Sequence, residues 1–430
     1  MNSRATTILL LLLPISTVLA QDSLSLATLQ ASAVQHDPRG RELELLAEQS
    51  RLRQRNLDGE RRPTLSLQGQ AQYQSDVTTI PITLPGGQSV PTPAHDTYDA
   101  HVVAQQPVYD PSLAPRHAVE EAQLAESRAR LRVALFGVRQ GVNDLYFTAL
   151  RTQSQLAELS TTITDLDAQL HVAEARVKEG AALPSEAWAL RAELLRRRQA
   201  EAELRVTRTA TLASLADLTH SSTDSTSAFG MPDLADQVSA ARSSLADVRA
   251  RAEYEQFARA RDVLARQEDA RTTADKPRIS AFGRVGYGRP GLNQLSRTFG
   301  GYYLGGVQLQ WTPFNWGATS RDREVIALQQ QVVSAEEQNF TDNLRRGVTQ
   351  ELAAVERFAA TLAMDDEIIV LRERIAAEAR ARFGEGVITS AEYVDKATDV
   401  LGARTARALH RVELAQARAH VLSTLGIEVR

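Results

Sequence analysis

The sequence predicts an α+β membrane protein built by internal duplication, in which long coiled-coil helices alternate with paired strands. Three observations carry this reading. Short motifs recur in the same order in both halves of the chain, four segments alternate apolar and polar residues with period two, and an apolar seam of period 3.5 runs from Leu131 to Val177.

The duplication is read from three pairs of motifs. Arg62-Pro63-Thr64-Leu65-Ser66-Leu67-Gln68-Gly69 matches Lys276-Pro277-Arg278-Ile279-Ser280-Ala281-Phe282-Gly283, and the match runs on to Tyr73 against Tyr287. Val108-Tyr109-Asp110 matches Pro313-Phe314-Asn315, and Arg176-Val177-Lys178-Glu179-Gly180 matches Arg382-Phe383-Gly384-Glu385-Gly386. Each match is short, but their order and near-constant offset of about 205–214 residues make chance a poor explanation. The offset shrinks between the two strands of each repeat, so the first repeat has the longer inter-strand loop, where surface insertions are tolerated. The expected organisation is a first repeat over 21–220, a linker at 221–233 rich in Ser and Thr, and a second repeat over 234–430.

The strands are placed at 64–73, 97–107, 278–287 and 302–311. Leu65, Leu67, Gly69, Ala71 and Tyr73 alternate with Thr64, Ser66, Gln68, Gln70 and Gln72. In the same way Tyr98, Ala100, Val102 and Ala104 oppose Asp99, His101 and Gln105. Ile279, Ala281, Val285 and Tyr287 oppose Ser280 and Arg284, and Tyr303, Val307, Leu309 and Trp311 oppose Gln308 and Gln310. Segments of about ten residues cross a bilayer when tilted, and Tyr and Trp near their ends suit the membrane interfaces. The same alternation also fits a small soluble sheet with one dry face. The loops between paired strands are rich in Pro and Gly, including Pro81, Pro85, Pro91, Pro93, Gly288, Pro290 and Gly291, without the spacing of a phosphate or dinucleotide loop. Four strands cannot close a barrel, since the smallest membrane barrels need about eight and lipid does not tolerate open sheet edges. Strands of this number that span a membrane must be pooled from several copies of the chain.

Pro111 and Pro115 mark the start of a long helix, about 114–179. Its seam reads Leu131, Leu135, Val138, Val142, Leu145, Ala149, Thr152, Leu156, Leu159, Ile163, Leu166, Leu170, Ala173, Val177, with steps of four and three, the coiled-coil repeat. A helix of this length spans about 100 Å. Its counterpart, about 320–383, has a less regular seam. Tight turns near 180–185 and 386–390 lead into returning helices over 186–218 and 391–425, the second with Ser390 as the expected N-cap. Further helices are expected over 24–62 and 234–273.

The first twenty residues read as a secretory signal: Arg4, an apolar run Ile8–Leu13, and Val18-Leu19-Ala20 before Gln21. No later stretch reaches the ~18–20 apolar residues of a membrane helix. The chain has no cysteine, which excludes disulfides, thiolate metal sites and a lipid-modified cysteine. A formal net charge of −4, with lysine only at Lys178, Lys276 and Lys396, gives no basic surface for nucleic acid. The eight histidines show no metal-ligand spacing beside acids, and no catalytic constellation stands out, so no cofactor or metal is expected.

With these features in place, the chain resembles the TolC-like outer-membrane efflux proteins (outer membrane factors) over nearly all of its mature length. Gln106-Pro107-Val108-Tyr109-Asp110 at a strand-to-helix junction carries the resemblance, with Phe383-Gly384-Glu385-Gly386-Val387-Ile388-Thr389-Ser390-Ala391-Glu392 at a helical turn and Leu425-Gly426 near the end. The resemblance implies a homotrimer whose chains share a 12-stranded β-barrel in the outer membrane, four strands each, continued by a long periplasmic α-helical coiled-coil tunnel. It implies passive conduction in tripartite efflux or type I secretion, with a periplasmic adaptor (membrane fusion) protein docked on the helical tips and an inner-membrane pump of ABC or RND type. The expected docking tips are Gly180, Ser185, Glu186, Phe383, Gly386 and Ser390, and the positions matching the family's acidic periplasmic gate are Glu392 and Asp395. The usual tip tyrosine is Phe383 here and a basic residue two after the glycine is Ile388, so the bonds that hold some members shut do not carry over. In the first repeat Glu186 keeps an acid and Ala189 replaces the second. The competing reading is a periplasmic helical-hairpin adaptor without a pore, against which two hairpins, two strand pairs and no mature membrane anchor count. On the signal reading, mass spectrometry of the mature protein finds Gln21 as its first residue; an intact Met1 refutes export by this signal.

Overall fold

The computed structural model describes residues 24–79, 81–82, 86–87, 91–224, 227–243 and 251–429. The signal segment 1–20 and part of the first inter-strand loop lie outside the described residues. In chain order the elements are α1 (Leu26–His36), α2 (Arg39–Gly59), β1 (Thr64–Tyr73), β2 (Asp96–Tyr109), α3 (Leu113–Lys178), α4 (Pro184–Thr219), α5 (Ala235–Ser243), α6 (Ala252–Thr272), β3 (Arg278–Arg289), β4 (Gly300–Gln310), α7 (Ala318–Gly384) and α8 (Ser390–Leu425).

Two expected helices differ. The helix expected over 24–62 is divided at Asp37-Pro38. A residue before proline is pushed out of the helical region, and Asp37 is extended at ψ 126°. The helix expected over 234–273 is two elements, α5 and α6, with Arg251 extended at ψ 143° ahead of α6; residues 244–250 lie outside the described set.

The chain divides into two compact units, one comprising Met1–Asp37, Phe136–Val248 and Arg345–Arg430, the other Pro38–Leu135 and Arg249–Leu344. In the second, the four strands form one antiparallel sheet in the order β1-β2-β3-β4. The register reproduces the duplication: Leu65 pairs with Ala104, and Ile279, its repeat equivalent, pairs with Leu309. Side chains alternate across the sheet, so one face is apolar through its central cross-strand rows, with Arg289 and Asp96 paired at one end of it. Leu67, Val102, Val285 and Tyr303 make one such row, and Leu67 and Tyr303 are 79% and 83% exposed. The other face carries Gln68, His101, Gly286 and Tyr302 in a row. There the His101 ring is held between the Asp99 carboxylate (2.6 Å) and the Gln68 amide (3.1 Å), and the Tyr302 hydroxyl donates to Asp99 (2.5 Å). Gly286 is required beneath this bridge, because a Cβ there would lie 2.6 Å from the Tyr302 ring.

The first unit is a helical core. Every α3 seam residue within it, from Val138 to Val177, is buried or half-buried, as a coiled-coil stripe demands. Inside it, Asn143 donates to Ser423 Oγ (2.9 Å) and accepts from Gln30 (2.5 Å), tying α1, α3 and α8 through satisfied buried amides. Tyr146, packed edge-on against Phe147 and Phe229, donates to the Gly230 carbonyl at 2.6 Å. α7 behaves differently: Met364, Ile368, Leu371 and Ile375, spaced four, three and four, are all exposed, as are Val325, Leu328 and Val332. A heptad seam therefore stands uncovered on this helix.

Burial pushes the Tyr146 phenol up to about 12. An unfolded tyrosine ionises near pH ~10. Between these values the unfolded chain gives up a proton that the folded chain keeps, so stability falls as pH rises, by roughly 2 kcal/mol across the window. Denaturant titrations at rising alkaline pH should show this slope in the parent and a shallower one in Tyr146→Phe.

Candidate functional site

The site built from the tips lies within the helical unit. Both hairpins turn in the same way. Gly180 adopts φ 74°, the Ala181 amide donates to the Arg176 carbonyl and the Gly180 amide to the Val177 carbonyl. Gly386 repeats this at φ 74°, with Val387 donating to Arg382 and Gly386 to Phe383. These are Schellman closures, which need a left-handed residue just past the helix end. The sequence match of the two turns is thus a match of backbone chemistry.

The returning helices start differently. α4 begins at Pro184 after Leu183, which gives no side-chain cap; a proline in the first turn costs nothing, because its missing N–H would be unpaired anyway. At α8 the cap is Thr389, one residue before the expected Ser390. Thr389 accepts from the Glu392 amide, and the Glu392 carboxylate accepts from the Thr389 amide at 3.0 Å. Ser390 is the first helical residue and is 2% exposed. The Thr-x-x-Glu pattern that sets this capping box was in the sequence, and it outranks a lone serine because it satisfies two backbone donors at once.

The predicted site residues fall into two groups. Gly180, Ser185, Gly386, Glu392 and Asp395 are exposed and Glu186 is half-buried, whereas Phe383 and Ser390 are inside. Phe383 stacks on Tyr393 at 5.3 Å in a cluster with Leu166, Leu170 and Leu190, so both hairpins share one small core at the tip. Glu392 and Asp395 are one turn apart on α8, but each carboxylate has local work. Glu392 closes the capping box, and Asp395 takes a hydrogen bond from Lys396 at 2.7 Å. That ammonium holds the Asp395 carboxyl below the usual carboxylate range.

Four residues that sequence reasoning did not single out bind the hairpins together. Arg176 donates to the Phe383 carbonyl at 2.9 Å and passes so near Gly386 that a Cβ there would lie 2.8 Å from its guanidinium. The Tyr393 hydroxyl donates to Asp165 at 2.5 Å, and Arg380 pairs with the same carboxylate at 2.6 Å. Burial, reinforced by that carboxylate, pushes the Tyr393 phenol up. The one sequence signal for Asp165 was a polar residue beside the seam position Leu166, which is too common to act on. Among the described residues no group of three or more His, Cys, Asp or Glu side chains is placed to hold a metal ion. None of the described helices is long and apolar enough to cross a membrane.

The fold these parts define is that of the TolC-like outer-membrane channels. The chain resembles CusC, a protein that forms a transmembrane channel, with a TM-score of 0.69 and 15% identity, over 94% of this chain and 92% of that one. It resembles the outer-membrane protein VceC of Vibrio cholerae with a TM-score of 0.67 and 13% identity, over 94% and 97%. The open state of the Neisseria gonorrhoeae outer-membrane channel MtrE matches with a TM-score of 0.65 and 16% identity, over 94% and 89%. Neither a family model nor a curated protein sequence matches the chain; the likeness is one of backbone, carried by periodicity and turn geometry.

Thr389→Ala should loosen the start of α8 by about 0.5–2 kcal/mol. Hydrogen exchange of the amides at 389–393 should accelerate, while Ser390→Ala, which keeps the capping box, should leave their protection in place.

Proposed function

We propose that three copies of this chain form a passive outer-membrane channel that carries cargo delivered across the periplasm by an adaptor and an inner-membrane pump. The observation that carries the reading is the sheet. It is four-stranded, with an apolar and exposed face and edges at β1 and β4. Such a face is stable in lipid, and such edges are stable there only when paired with another copy. Three chains supply twelve strands, with glutamines and the Asp99–His101 bridge on the water-filled side. The uncovered seam of α7 supports the same assembly, because a heptad stripe left exposed on one chain needs a helix from the next. A periplasmic adaptor without a pore gives no use for the exposed apolar sheet face.

In this assembly each repeat contributes one strand pair and one helical hairpin, and both tips face the adaptor. Gly180, Ser185, Glu186 and Gly386 offer the docking surface, while Phe383 and Ser390 hold its shape from inside. Glu392 and Asp395 ring the periplasmic mouth and favour cations there, as carboxylate rings in narrow pores do. No step of bond chemistry is required of the chain.

Detergent-extracted mature protein should be trimeric by light scattering and heat-modifiable on a gel; a monomeric, freely soluble mature protein overturns the proposal. In planar bilayers, Glu392→Ala with Asp395→Ala should raise single-channel conductance or lower cation preference. If both stay at the parent value, these acids do not line the mouth.

A further inference from the structure

The polar face of the sheet carries two aromatic residues, and each lies over a glycine. Tyr302 on β4 is the register partner of Gly286 on β3, and Phe282 on β3 is the partner of Gly306 on β4. A Cβ at Gly286 would lie 2.6 Å from the Tyr302 ring, and a Cβ at Gly306 would lie 3.1 Å from the Phe282 ring. Contacts this short mean that each ring is laid down across its neighbouring strand instead of standing out from the sheet. Burial agrees: Tyr302 and Phe282 are half-buried, whereas Tyr303 and Val285 on the apolar face are 83% and 66% exposed.

A glycine inside a strand weakens it, because it has no side chain to pack and more backbone freedom to lose. A ring packed over the bare backbone recovers part of that loss. Tyr302 is also tied down at its far end, since its hydroxyl donates to Asp99 of β2 at 2.5 Å. The Gly306 site is the simpler of the two. Phe282 is the one side chain that a Cβ there would meet, while at Gly286 the Cβ of His101 would also stand in the way, at 2.8 Å.

The posture of these rings matters because of the size of the barrel. About eight strands enclose a space that side chains fill, and about sixteen leave an open aqueous channel. Twelve strands lie between these limits, so the opening depends on whether the inward side chains lie flat or stand up. Three chains bring six such rings to the lumen. We propose that Gly286 and Gly306 determine which cargo passes by size, because they let Tyr302 and Phe282 lie against the wall and keep the lumen wide. The inference rests on three chains sharing one barrel, with the inter-strand loops outside and the helices in the periplasm.

The chain has no cysteine, so Gln310→Cys places a single thiol on the polar face at the helix end of β4, beyond both rings from the outside. Maleimide-tagged polyethylene glycols of increasing mass, applied to intact cells, then read the largest polymer that traverses the barrel. In this background Gly306→Ala should lift the Phe282 ring and lower the largest admitted mass about twofold. Gly306→Ala with Phe282→Ala should restore it, and Phe282→Ala alone should leave it at the parent value, since a flat ring obstructs little. An unchanged limit in Gly306→Ala that still runs as the heat-modifiable trimer overturns the proposal. So does a limit raised by Phe282→Ala alone, which shows that the ring already stands in the lumen; this variant decides the matter if Gly306→Ala fails to assemble. A thiol reached by none of the reagents, including the smallest, with or without Phe282, overturns the channel reading itself.

Discussion

Strand pairing is the constraint on which the rest of this molecule depends. In the proposed outer-membrane assembly every backbone N–H and C=O of the sheet must find a partner in protein, and this chain brings four strands to the task. The duplication doubles a two-stranded unit that would be marginal alone, yet the product still has two edges. Much else follows from the need for further copies. The apolar face of the sheet stands exposed in the single chain, exposed apolar residues line α7, and the tips have their own small core.

Within the chain, polar side chains are used to fix geometry. Arg176 caps the carbonyl end of α7 and fills the space beside Gly386; Thr389 and Glu392 close the start of α8; Asp165 receives Tyr393 and Arg380 together. None of these is a deeply buried unpaired charge, which would cost far more than it returned. Glu392 carries a double load, as a cap and as the proposed mouth acid. Its carboxylate sits near the positive end of α8, where an anion is favoured.

The fold was legible because its signals are periodic. Period two marked the strands, period 3.5 marked α3, and repeated motifs showed that what was found once should be found again. Single-residue events were less legible. Asp37-Pro38 and the chain before α6 divided helices that the apolar pattern joined, because periodicity reports which face is dry and says little about continuity. Thr389 displaced Ser390 because a reciprocal pair of backbone bonds outweighs one. At the tip, Phe383 and Gly386 were visible in the motif, while Arg176, Asp165 and Tyr393 become partners only through the packing of hairpins that lie about 200 residues apart in the chain. The shared sheet with almost no shared sequence makes the same point: pattern is kept where identity is lost.

The register of the sheet also governs the order of events during synthesis. Its central seam joins β2 to β3, with Tyr98 opposite Arg289, so the loop it closes contains the whole first hairpin together with α5 and α6. Closing a loop of that size costs little more entropy than closing one half as long, but the pairing must wait until the later strand has been made. Until then β1 and β2 exist as an isolated ribbon with an apolar side. The sheet is thus completed only when both repeats exist, and its middle is the place where the two halves of the duplication meet.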